Sequence, residues 1–515
     1  MILLRLQVSV RSPSRGSYCL VHHTKRISYG STYQVRRVMM AANKDAPKRE
    51  GDISDSFVSL SGGNNSKLPE KFLELKKTLV DGRENRIIAS WHRLLGQLRQ
   101  ENELVAKRGP SIVPSIEFNN LESDISKLDG ELKKRGVAIV RGVIPEGEAR
   151  MFKDEIEDYV KQNPWTKAFP QDNPQVYELY WSAPQIRARS HPNLLKASTA
   201  LMNLWHSSDP SSAISLSQPL SYADRLRIRQ PGDATFALGP HMDGGSVERW
   251  ELDGYGRGHV YDKIFEGAWE EYDPWDASKR VPAVIDNYNG LGACSMFRMF
   301  QGWLSMSNTK PFEGTLMVNP LVRLAAAYTL LRPFFQPVEE AREVSRDAYL
   351  AADNWEFAGN EMTSTLQGAW PGYGQEFNED LHPHLELDKT MVHMPQVKPG
   401  DFVVWHCDVI HAVDKVHNGQ SDSSVLYIPV CPVTESNAKY LLRQKKAFLD
   451  GTPGPDFPGG KGESRHVNRP TPSFLESCAD DTGLRAFGFK RLVAADHDGP
   501  GARNIAARAN EILGF

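Results

Sequence analysis

The chain has no uninterrupted apolar run approaching the ~20 residues that a membrane-spanning helix needs. Its longest candidate, Leu321–Phe335, is broken by Arg323, Arg332 and Pro333, so no membrane span is expected. It also lacks a Cys-x-x-Cys. The five cysteines (Cys19, Cys294, Cys407, Cys431, Cys478) are odd in number and widely spaced, which argues for reduced thiols and against a disulfide framework or a zinc site. Cys407 and Cys431 read as small packing residues rather than nucleophiles. No block of one charge dominates: 61 basic and 64 acidic residues leave a net charge of −3 with the signs mixed. A basic footprint for nucleic acid is therefore missing, and a small molecule is the expected partner. The sequence leaves the oligomeric state open.

Acid is absent from the amino terminus. Residues 1–44 contain no Asp or Glu, while Arg5, Arg11, Arg15, Lys25, Arg26, Arg36, Arg37 and Lys44 are interspersed with Ser, Tyr and Val. Such leaders read as mitochondrial transit peptides, which would place the mature protein in the matrix. A start at Met39 or Met40 would instead leave a cytoplasmic protein. On either reading residues 1–60 are leader and disordered linker.

Beyond it the apolar spacing is helical. Leu68, Phe72, Leu75 and Leu79, then Ile87, Trp91, Leu94 and Leu98, mark two amphipathic helices broken near Asp81-Gly82. These belong to a helical extension over 61–110. Further helices are expected over Phe118–Lys134, Glu146–Gln162, Asn437–Leu449 and Ala502–Leu513. Strand candidates are Val137–Arg141, Leu226–Gln230, Cys294–Leu304, Gly314–Val318, Thr390–Met394, Phe402–Trp405 and Val425–Val430. Their number and the turn signals between them suggest a mainly β core carrying many helices, an α+β protein built on an antiparallel barrel or sandwich. That core would occupy 111–435, with insertions at about 246–290 and 321–385, and 436–515 would extend the same unit. The first insertion mixes Trp250, Trp269, Tyr272 and Trp275 with Glu270, Glu271, Asp273 and Asp276. That mixture fits either contact with a polar substrate or the packing of an added subdomain.

Two short segments carry the chemistry. Gly239-Pro-His-Met-Asp-Gly-Gly245 sets an imidazole and a carboxylate two residues apart in a turn. Gly400-Asp-Phe-Val-Val-Trp-His-Cys-Asp-Val-Ile-His411 ends in another imidazole. Two histidines and one carboxylate on one face of a metal, with the opposite face open, are the ligand set of non-haem Fe(II) oxygenases. His406-Cys-Asp408 is a second His-x-Asp. Glycine and proline around His241 allow a close backbone approach to an ion, whereas His406 adjoins the apolar strand Phe402–Trp405. The competing reading of His241 and Asp243 is a turn capped by an Asx-type aspartate.

Val137-Ala-Ile-Val-Arg-Gly142, Phe312-Glu-Gly-Thr-Leu-Met-Val-Asn-Pro320 and the two metal segments resemble phytanoyl-CoA-hydroxylase-like proteins. In that pattern the ligand histidine stands eleven residues after the glycine of Gly-Asp, which selects His411 over His406. More closely, Arg227-Ile-Arg-Gln-Pro-Gly232, Gly239–Trp250 and Asp408-Val-Ile-His-Ala-Val413 resemble the YbiU-like family, placed among clavaminate-synthase-like proteins. The likeness spans roughly residues 70–500. It implies a double-stranded β-helix (jelly roll, cupin-like) and Fe(II) on His241, Asp243 and His411, which are then the catalytic residues. It further implies 2-oxoglutarate as cosubstrate, O2 as oxidant, and hydroxylation or desaturation of a small polar metabolite with release of succinate. It does not fix the substrate.

The distal carboxylate of 2-oxoglutarate needs a cationic partner. Related enzymes place an arginine about ten to thirteen residues after the second histidine, but that window here reads Ser421-Asp-Ser-Ser424. The candidate cosubstrate residues are therefore Ser424, Arg227 and Arg229 on one strand face, and Arg298 in Met296-Phe-Arg-Met-Phe300. Two other readings stand beside the oxygenase. One is a metal-dependent cupin isomerase or lyase that does not use O2, and the other is a non-catalytic metabolite-binding barrel.

Overall fold

The strand Phe402–His406 carries five consecutive buried residues, so neither of its faces meets water. Successive side chains point to opposite faces: Val403 and Trp405 enter one core, Phe402 and Val404 another. In the computed structural model this strand lies inside an eight-stranded sheet. The order is Ser115–Glu117, Val137–Arg141, Phe402–His406, Phe300–Ser305, Ser423–Tyr427, Leu226–Arg229, Val176–Tyr177, Ala168–Phe169. Its pairings are antiparallel except the first. The structure describes residues 53–61, 67–235, 237–291, 293–457 and 459–515, so the basic leader and the localisation read from it lie outside the described residues.

Helices Leu121–Arg135, Glu146–Gln162 and Pro192–Met202 cover one face of this sheet through Leu132, Phe152, Ile156, Leu194 and Leu201. The other face shares a core with a five-stranded antiparallel sheet ordered Gln375–Glu376, His241–Met242, His411–Val413, Leu316–Val318, Val392–His393. Along the chain from Leu226 to Tyr427 the strands alternate between the sheets, except that Leu316–Val318, Gln375–Glu376 and Val392–His393 follow one another in the smaller. Leu226–Arg229, Phe300–Ser305, Phe402–His406 and Ser423–Tyr427 are in the larger one, and His241–Met242, Leu316–Val318, Val392–His393 and His411–Val413 are in the smaller. The protein is thus a mixed α and β structure with large sheets and many helices. No helix among the described residues is long and apolar enough to cross a membrane.

The two amphipathic helices are Lys71–Val80 and Glu84–Arg108, separated at Asp81-Gly82 as the spacing predicts. Trp91, Leu94 and Leu98 of the second join the core of the five-stranded sheet. Helix Glu435–Asp450 packs on Pro500–Leu513 through Leu441, Ile505 and Ala509. The expected strand Cys294–Leu304 forms only from Phe300 onward. Ahead of it the Ser295 N–H donates to Asp456 and the Phe297 N–H to Asn437. Side-chain acceptors take the donors that a sheet ladder would use. Ile214–Leu220, unread in the sequence because Pro219 interrupts it, pairs with Cys431–Thr434. In the 246–290 insertion Trp250, Trp269, Tyr272 and Trp275 are buried, which is the packing alternative.

Gly400-Asp401 sets the start of Phe402–His406. Asp401 accepts from the Gly142 and Lys398 N–H groups and from Arg141 Nη1 (2.9, 2.9 and 2.8 Å). Gly400 has φ +88°, and a Cβ there would lie 1.9 Å from the Ile144 carbonyl oxygen. Gly400→Ala is expected to cost at least the roughly 1–3 kcal/mol of a left-handed non-glycine residue. Denaturant unfolding checks this, and a loss under about 0.5 kcal/mol, the scale of an ordinary surface substitution, contradicts it.

Candidate metal centre

His241 and His411 are directly opposite each other on neighbouring antiparallel strands. Opposed residues share a face, and the two rings lie 4.1 Å apart between centroids. Asp243 follows in the turn after His241–Met242. There Gly245 (φ +89°) passes so close to the Ile285 carbonyl that a Cβ would sit 2.6 Å from its oxygen. The carboxylate comes within 3.9 Å of His241 Nε2 and 4.0 Å of His411 Nε2, and one donor atom from each of the three lies within 4.8 Å of the others.

Each imidazole is oriented by its own backbone. His241 Nδ1 donates to the Gly239 carbonyl (2.7 Å) and His411 Nδ1 to the Val409 carbonyl (3.1 Å). Such bonds fix the tautomer and leave Nε2 as a lone-pair donor. Neither Nε2 hydrogen-bonds to another described residue. Burial, then the neighbouring His241, lowers the His411 pKa to about 3, so its ring is neutral at physiological pH. Burial raises the Asp243 carboxyl, but Arg298, His411, His241 and a hydrogen bond from Gln301 outweigh it and hold it below its ordinary range. Two imidazoles and one carboxylate converging on one point fit a divalent first-row metal.

The second His-x-Asp does not offer such a site. Asp408 is fully buried and accepts from Arg249 Nη1 (2.8 Å), Arg280 Nη2 (2.5 Å), Tyr261 and Tyr272. His406 Nδ1 accepts the Asp408 N–H, so Nε2 donates to the Pro274 carbonyl, and the ring stacks on Trp205. Burial pushes the Cys407 thiol up to about 12. This carboxylate is already saturated, and the net positive charge of its two guanidinium partners repels a further cation.

Two chambers meet at Asp243, Arg298 and Gln301. The inner one, about 190 Å³, lies between the sheets and is lined by His241, His411, Arg227, Trp303, Trp405 and Tyr427. The outer one, about 520 Å³, is bounded by Arg280, Ile285, Phe297, Ser436 and Arg443 among others. Of the arginines named from the sequence, Arg298 lies in both. Its only hydrogen bond to a described residue is a 3.5 Å contact from Nη2 to Asp243 Oδ2. Arg227 lines the inner chamber and donates to Gln175 (2.8 Å).

Two candidates fall away from the chambers. Arg229 shares the strand face of Arg227, but its guanidinium is spent on Asp233 Oδ2 (2.7 Å) and on the carbonyls of Asp233, Asp414 and Lys415. Ser424 has the wrong strand parity: Ser423 and Val425 face the inner chamber, and Ser424 Oγ turns to Asp422.

Sequence reasoning missed Glu248, whose buried carboxyl lines the inner chamber and accepts the Ser246 and Asn287 N–H groups. It also missed Phe57. The end of the stretch 1–60, read as leader and linker, contains the 3-10 turn Ile53–Ser56 and most of the short helix Val58–Ser61, and Phe57 meets His241 edge-on at 4.9 Å between centroids. No composition signal marks that residue.

A model of the Gig2-like family matches residues 66–489, and the chain belongs to this family, which includes the YbiU-like proteins (DUF1479). It is 32% identical over 396 residues to the uncharacterized protein YbiU of Escherichia coli (strain K12), covering 74% of this chain and 86% of that one. The crystal structure of GlcNAc Inducible Gene 2, GIG2 (DUF1479), from Candida albicans is similar with a TM-score of 0.77 and 33% identity, covering 88% of this chain and 97% of that chain. The hypothetical protein JW0805 of Escherichia coli is similar with a TM-score of 0.68 and 29% identity, covering 82% and 98%.

Proposed function

We propose that the protein is an Fe(II)- and 2-oxoglutarate-dependent oxygenase acting on a small polar molecule. The observation that carries this reading is the convergence of His241, Asp243 and His411 within 4.8 Å, with both Nε2 atoms left as lone-pair donors. The near-alternation of strands between two facing sheets supports reading the core as a double-stranded β-helix, with His241 and His411 on the smaller sheet and Asp243 in the turn that follows His241–Met242. Fe(II) with 2-oxoglutarate and O2 supplies oxidation of an unactivated C–H bond, releasing succinate and CO2.

The chain's own residues then have separable tasks. His241, Asp243 and His411 hold the metal from one side. Arg298, partly buried beside Asp243 with one long hydrogen bond and its guanidinium over the Tyr222 ring, offers a charge to an anionic ligand, and Arg227 offers a second from the inner chamber wall. A dicarboxylate needs such cations in a desolvated space. Trp303, Trp405, Leu316 and Val425 line the same chamber with apolar surface and keep water from the ligands. The outer chamber gives the substrate its approach to Asp243.

Anaerobic Fe(II) titration, followed by O2 and 2-oxoglutarate in the presence of a metabolite extract, tests the reading. One Fe(II) per chain and metabolite-dependent succinate are expected. Turnover with Zn(II) or Mn(II) and no need for 2-oxoglutarate would replace the oxygenase by a cupin isomerase or lyase.

A further inference from the structure

We propose that Arg249, acting with Asp408, is a positioning residue of the metal centre, holding the Asp243 turn against the loop that leads into His411. The inference rests on the metal-site reading above. A buried carboxylate is expensive unless each oxygen is paired. Asp408, three residues ahead of His411, receives two donors on each oxygen: Arg249 and Tyr261 on Oδ1, Arg280 and Tyr272 on Oδ2. Arg249 alone among these also reaches a ligand-bearing segment. Its Nη2 donates to the Asp243 carbonyl at 2.7 Å, so one planar guanidinium spans the two segments. The next carbonyl, that of Gly244, accepts from Tyr255 Oη at 2.6 Å, and the Arg249 guanidinium lies over the Tyr255 ring at 5.2 Å.

Both carbonyls of the turn are thus held from behind while the Asp243 carboxylate faces the imidazoles. At the other segment, the Asp408 N–H donates to His406 Nδ1 and His406 Nε2 to Pro274 (both 3.0 Å), which anchors the loop that leads to His411. An apolar core would bury the same volume, but it would not fix the distance between the backbone carbonyl of one ligand residue and a carboxylate before another. The planar fork of arginine does this, and lysine, with a single point of charge, cannot serve both ends.

The experiment uses the full chain with Co(II) as the probe. Dissociation constants come from chelator competition, the Co(II) visible band reports geometry, and the melting temperature of the metal-free protein reports folding. Arg249→Lys is expected to weaken Co(II) binding about 10- to 100-fold, as loss of outer-shell partners does, and to shift the band. Arg189→Lys, a buried arginine held by the Gln185 and Tyr180 carbonyls away from the site, is expected to keep wild-type Co(II) affinity at a comparable loss of melting temperature. Tyr255→Phe removes only the hydroxyl from Gly244 and is expected to weaken binding several-fold, which keeps the test open if Arg249→Lys does not fold. Wild-type affinity and band in either folded variant overturn the inference alone. Failure of the wild-type protein to bind Co(II) overturns the metal-site reading and the inference with it.

Discussion

Replacing His411 with alanine is expected to lower divalent-metal affinity at least about 100-fold, the upper end of what losing an outer-shell partner does to a metal site. The ring enters the centre with its tautomer already chosen, Nδ1 on Val409 and Nε2 toward Asp243. Alanine leaves one imidazole and one carboxylate, too few donors for an open facial site. Neither His406 nor Trp405 replaces the lost nitrogen: His406 is turned to Pro274 and stacked on Trp205, and Trp405 beside His411 offers no lone pair to a metal. Fe(II) or Co(II) titration with melting of the metal-free protein separates ligand loss from unfolding. Affinity within a few-fold of wild type in a folded His411→Ala protein would remove His411 from the ligand set.

Asp408→Ala is expected to destabilise the protein by roughly 3–5 kcal/mol, the range for breaking a buried ion pair from one side. The cost comes from what stays behind. Arg249 and Arg280, both buried, would keep their charges with no carboxylate between them. At present burial would raise the Asp408 carboxyl, but Arg280 and then Arg249 hold it well below its ordinary range, so the cluster is ionised across the physiological range. Tyr261 and Tyr272 would also lose their acceptor. Denaturant titration of wild type and variant gives the difference, and a loss under about 1 kcal/mol would mean that water or a side-chain shift satisfies both guanidinium groups.

The strands of the larger sheet were legible where a buried apolar run was unbroken, as in Phe402–His406 and Val137–Arg141, whereas His241–Met242 and His411–Val413, which carry the two imidazoles, are too short to show a period. Helix ends were legible where glycine punctuates the spacing, as at Asp81-Gly82. The His-x-Asp turn was visible because Gly244-Gly245 stands beside it. The partner of a long side chain was not. Arg227 and Arg229 share a strand face in sequence and in space, yet only the fold brings Asp233 and the Asp414 and Lys415 carbonyls round to saturate the second. Ser424 failed for a simpler reason: strand parity turns it away from the chamber that Ser423 and Val425 face. Asp408 lay inside a quoted motif, but its role depends on Arg249 and Arg280, more than a hundred residues earlier in the chain, a distance no local pattern reports.

Phe57 lies ahead of the span, 66–489, that the family model matches, yet it walls the inner chamber beside His241. The donor set and most of the chamber wall therefore lie within that span, and one side of the wall lies ahead of it. Substitution of Phe57 would change the room and leave His241, Asp243 and His411 in place. The volume beside the three candidate ligands can thus be altered from a segment that supplies none of them.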